Sequence, residues 1–233
     1  MTLQVVLLKL SGQACSNSEL IRHLAHQIKQ LSRTQLFGIV IGGGNFFRGS
    51  QQGKQLGMSS LAGHQVGIMA TLLNGLILED LFYQEGLETR IFSAIDCPTA
   101  GQSPAPSEIR TAIHERICMI FTGGTGSPYF TTDTNALVRA LQIGAQEVWK
   151  ATDVVGIYDK DPKKYNDAQL LSHVNYHYAL HNKLGIVDST ALVMAQEHTI
   201  PIRVFSMYEP NSLMHAASNA SYGSVINIGI RQE

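Results

Sequence analysis

Phe37-Gly38-Ile39-Val40-Ile41-Gly42-Gly43-Gly44 is a short apolar run stopped by three consecutive glycines. A run of this length without polar alternation reads as a strand buried on both faces, which is the habit of parallel sheets. Upstream, Val5-Val6-Leu7-Leu8 reads as a second buried strand. Between the two, Leu20, Leu24, Ile28 and Leu31 share one helical face. Strand, helix, strand is the βαβ unit, and the pattern continues. Val66, Met69, Leu73, Ile77 and Leu81 recur at helical spacing, Arg90-Ile91-Phe92 is a weaker strand, and Ile109 and Ile113 mark a short helix. Ile117 to Phe121 is another strand, and Thr132 to Ile143 is helical with Gly144 in a stop position. Val148-Trp149, Ile202 to Phe205 and Val225-Ile226 complete the set, the last closing the sheet. The expectation is an α/β fold: a three-layer sandwich around an open, mainly parallel sheet.

The chain has 233 residues, 44% of them hydrophobic and 15% charged, with 17 basic against 18 acidic side chains. That balance argues against a nucleic-acid footprint, which needs a basic surface. No uninterrupted apolar run reaches the roughly 18 residues of a membrane span. Met1 to Leu10 lacks a basic leader with a small-residue cleavage site. Cys15, Cys97 and Cys118 are odd in number and lack CxxC spacing, so neither a disulfide framework nor a zinc knuckle is expected. The expected compartment is the cytoplasm. No linker or internal repeat divides the chain, so 1–233 is read as one domain.

Ligands of open α/β sheets sit beyond the carboxyl ends of the strands. Three segments there have turn chemistry: Lys9-Leu10-Ser11-Gly12; Gly42 through Gly49 with Arg48; and Thr122-Gly123-Gly124-Thr125-Gly126, running through Ser127-Pro128-Tyr129-Phe130 to Thr131-Thr132-Asp133. Glycines let backbone N–H groups approach an anion, and a following helix N-terminus adds its dipole. Lys9 and Arg48 add cations. Two such cradles suit two phosphorylated ligands held face to face, an arrangement that serves phosphoryl transfer. There is no GxxxxGK[ST] loop and no complete GxGxxG fingerprint. Each feature alone has an ordinary reading: a tight turn, a solvated lysine, an N-cap with a first-turn acid. His173, His177 and His181 fall at i, i+4 and i+8, but no acid or cysteine completes a metal set, and a solvated helix face is the better reading. Cys118 lies in an apolar run and reads as packing. Asp159 to Lys164 reads either as a charged turn or as part of a site.

The segments Lys9–Gly12, Val40–Gly49, Thr125–Asp133, Lys150–Thr152, Val155–Tyr158 and Pro201–Phe205 together resemble the bacterial uridylate (UMP) kinases of the amino acid kinase superfamily, in order and along nearly the whole chain. The Thr125–Asp133 stretch is the most specific part. The resemblance implies ATP-dependent phosphorylation of UMP to UDP for pyrimidine nucleotide synthesis, with Mg²⁺ accompanying ATP, a homohexamer, and UTP as an inhibitor. It implies an N-terminal part that binds the acceptor and a C-terminal part that binds ATP.

On that resemblance, Lys9, Leu10, Ser11, Gly12, Gly44, Arg48, Thr152, Tyr158 and Asp161 belong to ATP. Gly43, His64, Thr125, Gly126, Ser127, Pro128, Tyr129, Phe130, Thr131 and Thr132 belong to UMP. Lys9, Arg48, Asp133 and Asp188 carry or organise the chemistry. Two departures stand out. His64 occupies a place where the family usually has an Asp on the acceptor ribose. Gln13 to Ser18 is too short for an insertion linked to GTP activation in some members, so that activation is not expected. Two other readings remain open: a related kinase with another acceptor, and a nucleotide-binding sensor or storage protein without chemistry.

Overall fold

The computed structural model describes residues 3–162, 164–182 and 184–229. Lys163 of the Asp159–Lys164 turn and Met1 of the N-terminal stretch lie outside them. Along the chain run β1 (Gln4–Leu10), α1 (Ser18–Leu31), β2 (Gln35–Ile41), α2 (Ser60–Gln84), β3 (Thr89–Ser93), α3 (Pro106–His114), β4 (Cys118–Thr122), α4 (Thr132–Ile143) and β5 (Glu147–Thr152). They are followed by β6 (Ile157–Tyr158), β7 (Leu170–Leu171), β8 (His173–Asn175), α5 (Tyr176–His181), α6 (Ser189–Glu197), β9 (Ile202–Ser206), α7 (Ser212–Ser218) and β10 (Ser224–Asn227).

Eight strands form one sheet in the order β3-β4-β2-β1-β5-β9-β10-β8. All neighbours pair in parallel except β9 and β10. The sheet has two apolar faces, and the parity of each strand sorts its side chains between them. Val5 and Leu7 of β1 join Val148 of β5 and the inner residues of α3, α4, α5 and α6. Val6, Leu8 and Leu10 join Trp149, Ala151 and the inner residues of α1, α2 and α7. This is the three-layer α/β sandwich expected from the strand–helix alternation.

Three elements depart from the sequence reading. His173 sits in β8, the sheet edge, so the three histidines do not share a helix face; only His177 and His181 stack, on α5. β8 pairs beyond β10, so Val225-Ile226 does not close the sheet. Within the loop that follows β5, β6 pairs with β7 in a two-residue ladder too short to show periodicity.

On α2, Val66, Met69 and Leu73 of the apolar stripe are exposed, as is Leu76, while Leu81 packs against the core. The buried face holds Gly63, Ala70, Thr71, Leu72, Asn74, Gly75, Leu78 and Phe82. Small residues win there because the helix lies against turns: a Cβ on Gly75 would come within 2.3 Å of the Thr122 methyl. By length and composition α2 is apolar enough to cross a membrane, with a mean hydropathy of 1.4 in its most apolar window. In the fold it covers the sheet through Leu78 and Phe82.

Candidate active site

β1 and β5 lie side by side with Lys9 directly opposite Lys150. Both lysines have the parity of Val5, Leu7 and Val148, so both project toward α4. α4 begins with Thr131 as its N-cap, the hydroxyl accepting from the Asp133 N–H at 3.0 Å. That places Asp133 in the first turn, where the helix dipole favours an anion. One Asp133 oxygen meets Lys9 Nζ at 2.9 Å, and the other meets Lys150 Nζ at 2.6 Å. Lys150 also donates to the carbonyl of Ile186. All three side chains are largely buried.

Burial alone would raise the Asp133 carboxyl, but Lys9 and Lys150 outweigh it and hold the group below the ordinary carboxylate range. Burial also pushes the Lys150 ammonium down, and the Lys9 charge adds to that. Asp133 pulls the other way, and the result is about 8. The two ammonium groups stand together at the strand tips, where a phosphate could be drawn to them, with Asp188 as a second negative charge acting on Lys150 from farther back.

Asp188 stands one layer back. As the N-cap of α6 it accepts from the Ala191 N–H at 2.9 Å, and it also accepts from the Thr134 N–H at 3.1 Å and from the Thr131 hydroxyl. It thus ties the start of α6 to the start of α4 without touching either lysine at bonding distance. Arg48 lies on the rim, its Nε donating to the Gly44 carbonyl at 3.2 Å, and its side chain is exposed rather than drawn to the lysines.

The turns after β1 and β2 pack on each other. A Cβ on Gly12 would come within 2.6 Å of the Gly42 carbonyl oxygen, so only glycine permits that approach. Ser11 caps the short turn that follows, accepting from the Gln13 N–H at 3.4 Å. Gly43 abuts α2, with Gly67 O and Ala70 Cβ each 2.8 Å from where its Cβ would stand. Gly44 is half-buried, with only Arg48 nearby.

The loop from Gly123 to Thr131 joins β4 to α4, its Gly123 N–H donating to the Thr71 hydroxyl of α2 at 2.8 Å. Gly123, Gly124 and Gly126 have φ of +75°, +56° and +80°, and Tyr129 holds φ +72°. Thr125 Oγ1 accepts from the Ser127 N–H at 3.2 Å and closes the bend before Pro128. Tyr129 and Phe130 are exposed, and the Tyr129 ring lies 4.8 Å from the His64 ring, across from α2. His64 therefore lies opposite the loop that the resemblance assigns to the acceptor.

On the other side, Tyr158 and Asp161 line a cleft of about 570 Å³ with Gly156, Asn182, Gly185 and Ile186. Ile186 belongs both to this cleft and to the Lys150 contact, so the cleft opens beside the lysines. Thr152 ends β5, its hydroxyl donating to Asp153. A larger cavity of about 920 Å³ lies along β8 and β10, and among the described residues neither lysine nor arginine lines it. Cys118 is buried, and burial pushes its thiol up to about 12, which leaves it a protonated packing group.

Among the described residues no three His, Cys, Asp or Glu side chains come together as metal ligands. Asp133 is engaged by two lysines, and Asp188 by helix termini and hydroxyls. The chemistry of this donor set fits a divalent ion held mainly by nucleotide phosphates rather than by a protein cage.

Sequence reasoning missed Lys150, which carries the second charge. Its signal was available: two lysines of matching parity at the ends of two buried strands become neighbours if those strands pair.

The amino acid kinase family model matches residues 4–206. A uridylate kinase of Actinobacillus pleuropneumoniae is 37% identical over 234 residues, covering 95% of this chain and 97% of that one. The crystal structure of UMP kinase from Ureaplasma parvum superposes with a TM-score of 0.90 at 34% identity, covering 97% of this chain and all of that one. UMP kinase from Bacillus anthracis superposes with a TM-score of 0.92 at 26% identity, covering 99% and 98%.

The buried charge cluster predicts that a lysine side-chain NMR titration finds one amine deprotonating near pH 8, well below surface lysines. Asp133→Asn removes the attraction that raises Lys150 and moves this transition to lower pH. A transition that stays in place in the variant would contradict the bridging role of Asp133.

Proposed function

The chain belongs to the amino acid kinase family, and we infer that it catalyses transfer of the γ-phosphoryl group of ATP to UMP, giving ADP and UDP for pyrimidine nucleotide synthesis. The observation that carries this reading is the pair Lys9 and Lys150 held on Asp133 between a cleft on one side and a glycine-rich loop on the other. In the proposed reaction, a UMP phosphate oxygen attacks the γ-phosphorus in line and the ADP β-oxygen leaves. The attacking phosphate is already anionic, so no general base and no covalent intermediate are needed. The protein contributes alignment and positive charge, the two things phosphoryl transfer requires.

In this proposal Tyr158, Asp161 and Thr152 hold the adenine nucleotide, and Leu10, Ser11, Gly12 and Gly44 lie along its phosphates. Lys9 and Lys150 neutralise the group in transfer, with Arg48 as a further cation on the rim. Asp133 keeps the two ammonium groups together, and Asp188 fixes the helix starts around them. Gly43, His64 and the backbone and hydroxyls of Thr125 through Thr132 receive UMP. The N-terminal part thus takes the acceptor and the C-terminal part takes ATP, within one domain. Mg²⁺ would ride on the ATP phosphates and supply charge neutralisation there.

A homohexamer is the proposed assembly, and the exposed apolar stripe of α2 (Val66, Met69, Leu73, Leu76) is the proposed contact between copies. UTP, which joins the uridine of one substrate to the triphosphate of the other, is the proposed inhibitor. The cytoplasm is the proposed compartment.

A coupled assay of ADP release with UMP, CMP and dUMP tests the reading, and UMP is expected to be the preferred acceptor. Lys9→Ala lowers turnover about 100-fold or more, roughly 3 kcal/mol for one lost charge donor. A purified variant that turns over like the parent would remove Lys9 from the mechanism. His64→Asp replaces an imidazole by a carboxylate, an obligate acceptor for a ribose hydroxyl, and is expected to raise the preference for UMP over dUMP. An unchanged ratio would place His64 away from the ribose.

A further inference from the structure

α2 carries two polar side chains on its buried face, Thr71 and Asn74, three residues apart and almost without exposure. Such groups destabilise a helix–sheet contact unless they are hydrogen-bonded. Their partners lie largely outside the helix. The Thr71 hydroxyl donates to the Ile68 carbonyl at 2.7 Å and accepts from the Gly123 N–H at 2.8 Å. Asn74 Nδ2 donates to the Gly42 carbonyl at 2.6 Å and to Asn45 Oδ1 at 2.7 Å, while Asn74 Oδ1 accepts from Asn45 Nδ2 at 3.0 Å. The two asparagines form a reciprocal amide pair, and the Gly42 carbonyl fixes which way the Asn74 amide points.

The same atoms form the wall against which the first turn rests. A Cβ on Gly12 would come within 2.6 Å of Gly42 O and 2.7 Å of Asn45 Oδ1. One stretch of α2 therefore reaches all three glycine turns: the Gly12 turn through Asn45, the Gly42–Gly44 turn directly, and the Gly123 loop through Thr71. Leu72 and Leu78 beside them show that apolar side chains pack on this helix face, so packing alone does not call for an amide at position 74.

We propose that Asn74 is a positioning residue for phosphoryl transfer, holding the donor-side and acceptor-side glycine turns in mutual register, with Thr71 setting the acceptor loop. The proposal rests on the functional reading above. It acts through geometry: a shift of the order of 1 Å between the reacting groups costs about 100-fold in rate.

The test uses Asn74→Leu, which keeps the branched shape and removes the amide, together with Asn45→Ala and Thr71→Val. Asn74→Leu and Asn45→Ala are each expected to lower kcat, the former by roughly 100-fold, while both KM values stay within about threefold, the pattern of lost alignment rather than lost binding. Thr71→Val is expected to raise the KM for the acceptor and leave that for ATP. Amide hydrogen exchange over Gly42–Phe46 is expected to be roughly tenfold faster in both asparagine variants. Asn45→Ala opens the same amide pair from the loop side, so it decides the question if Asn74→Leu does not fold. Exchange and kcat in Asn45→Ala within about twofold of the parent would overturn the proposal. A parent without turnover on UMP would instead overturn the functional reading, and the exchange measurement would still decide the role of Asn74.

Discussion

Asp133 lies between Lys9 and Lys150, and the rest of the site is arranged around that contact. Two ammonium groups facing each other across neighbouring strands, largely out of water, repel strongly unless an anion separates them. The anion is supplied by the first turn of α4, where the helix dipole also favours it. The pairing of β1 with β5 sets the two lysines opposite each other, and strand parity turns both toward α4. Sheet register, helix start and charge balance are thus one constraint. Its product is a pair of ammonium groups at strand tips bordered by a cleft and a glycine-rich loop, which is where two phosphorylated ligands can meet.

The glycine turns meet the complementary requirement, which is closeness. Gly12 against Gly42, Gly43 against α2 and Gly75 against Thr122 are approaches that a Cβ would block. α2 serves these turns with the small and polar residues of its inner face, beside Leu72, Leu78 and Phe82, and leaves Val66, Met69, Leu73 and Leu76 outside. One helix therefore faces the turns on one side and, in the proposed assembly, another copy of the chain on the other.

Much of the fold was legible because buried parallel strands announce themselves as unbroken apolar runs, as in Phe37–Ile41 and Ile117–Phe121. α4 was legible to the residue, since Thr131 caps one end and Gly144, at φ +66°, stops the other. β6, β7 and β8 were not, because strands of two or three residues have no period to read. The polar contacts of α2 were hidden for a different reason: its buried face mixes small and polar residues with Leu72, Leu78 and Phe82, and apolar periodicity marks only its exposed stripe. Lys9 and Asp133 could be picked out singly from strand-end and helix-start positions. Their contact, and the part played by Lys150, depends on which strands are neighbours, and a linear sequence states that only indirectly. Asn74 gave no signal at all, being one polar residue inside an apolar helix.

A crystal structure with UMP and a non-hydrolysable ATP analogue bound together tests the central claim most directly. The account predicts the terminal phosphate of the analogue within about 3 Å of both Lys9 Nζ and Lys150 Nζ, Asp133 still bridging them, and the UMP phosphate facing it beneath the Gly123–Thr131 loop. A terminal phosphate bound away from both lysines, or a UMP phosphate on the far side of the loop, would contradict it.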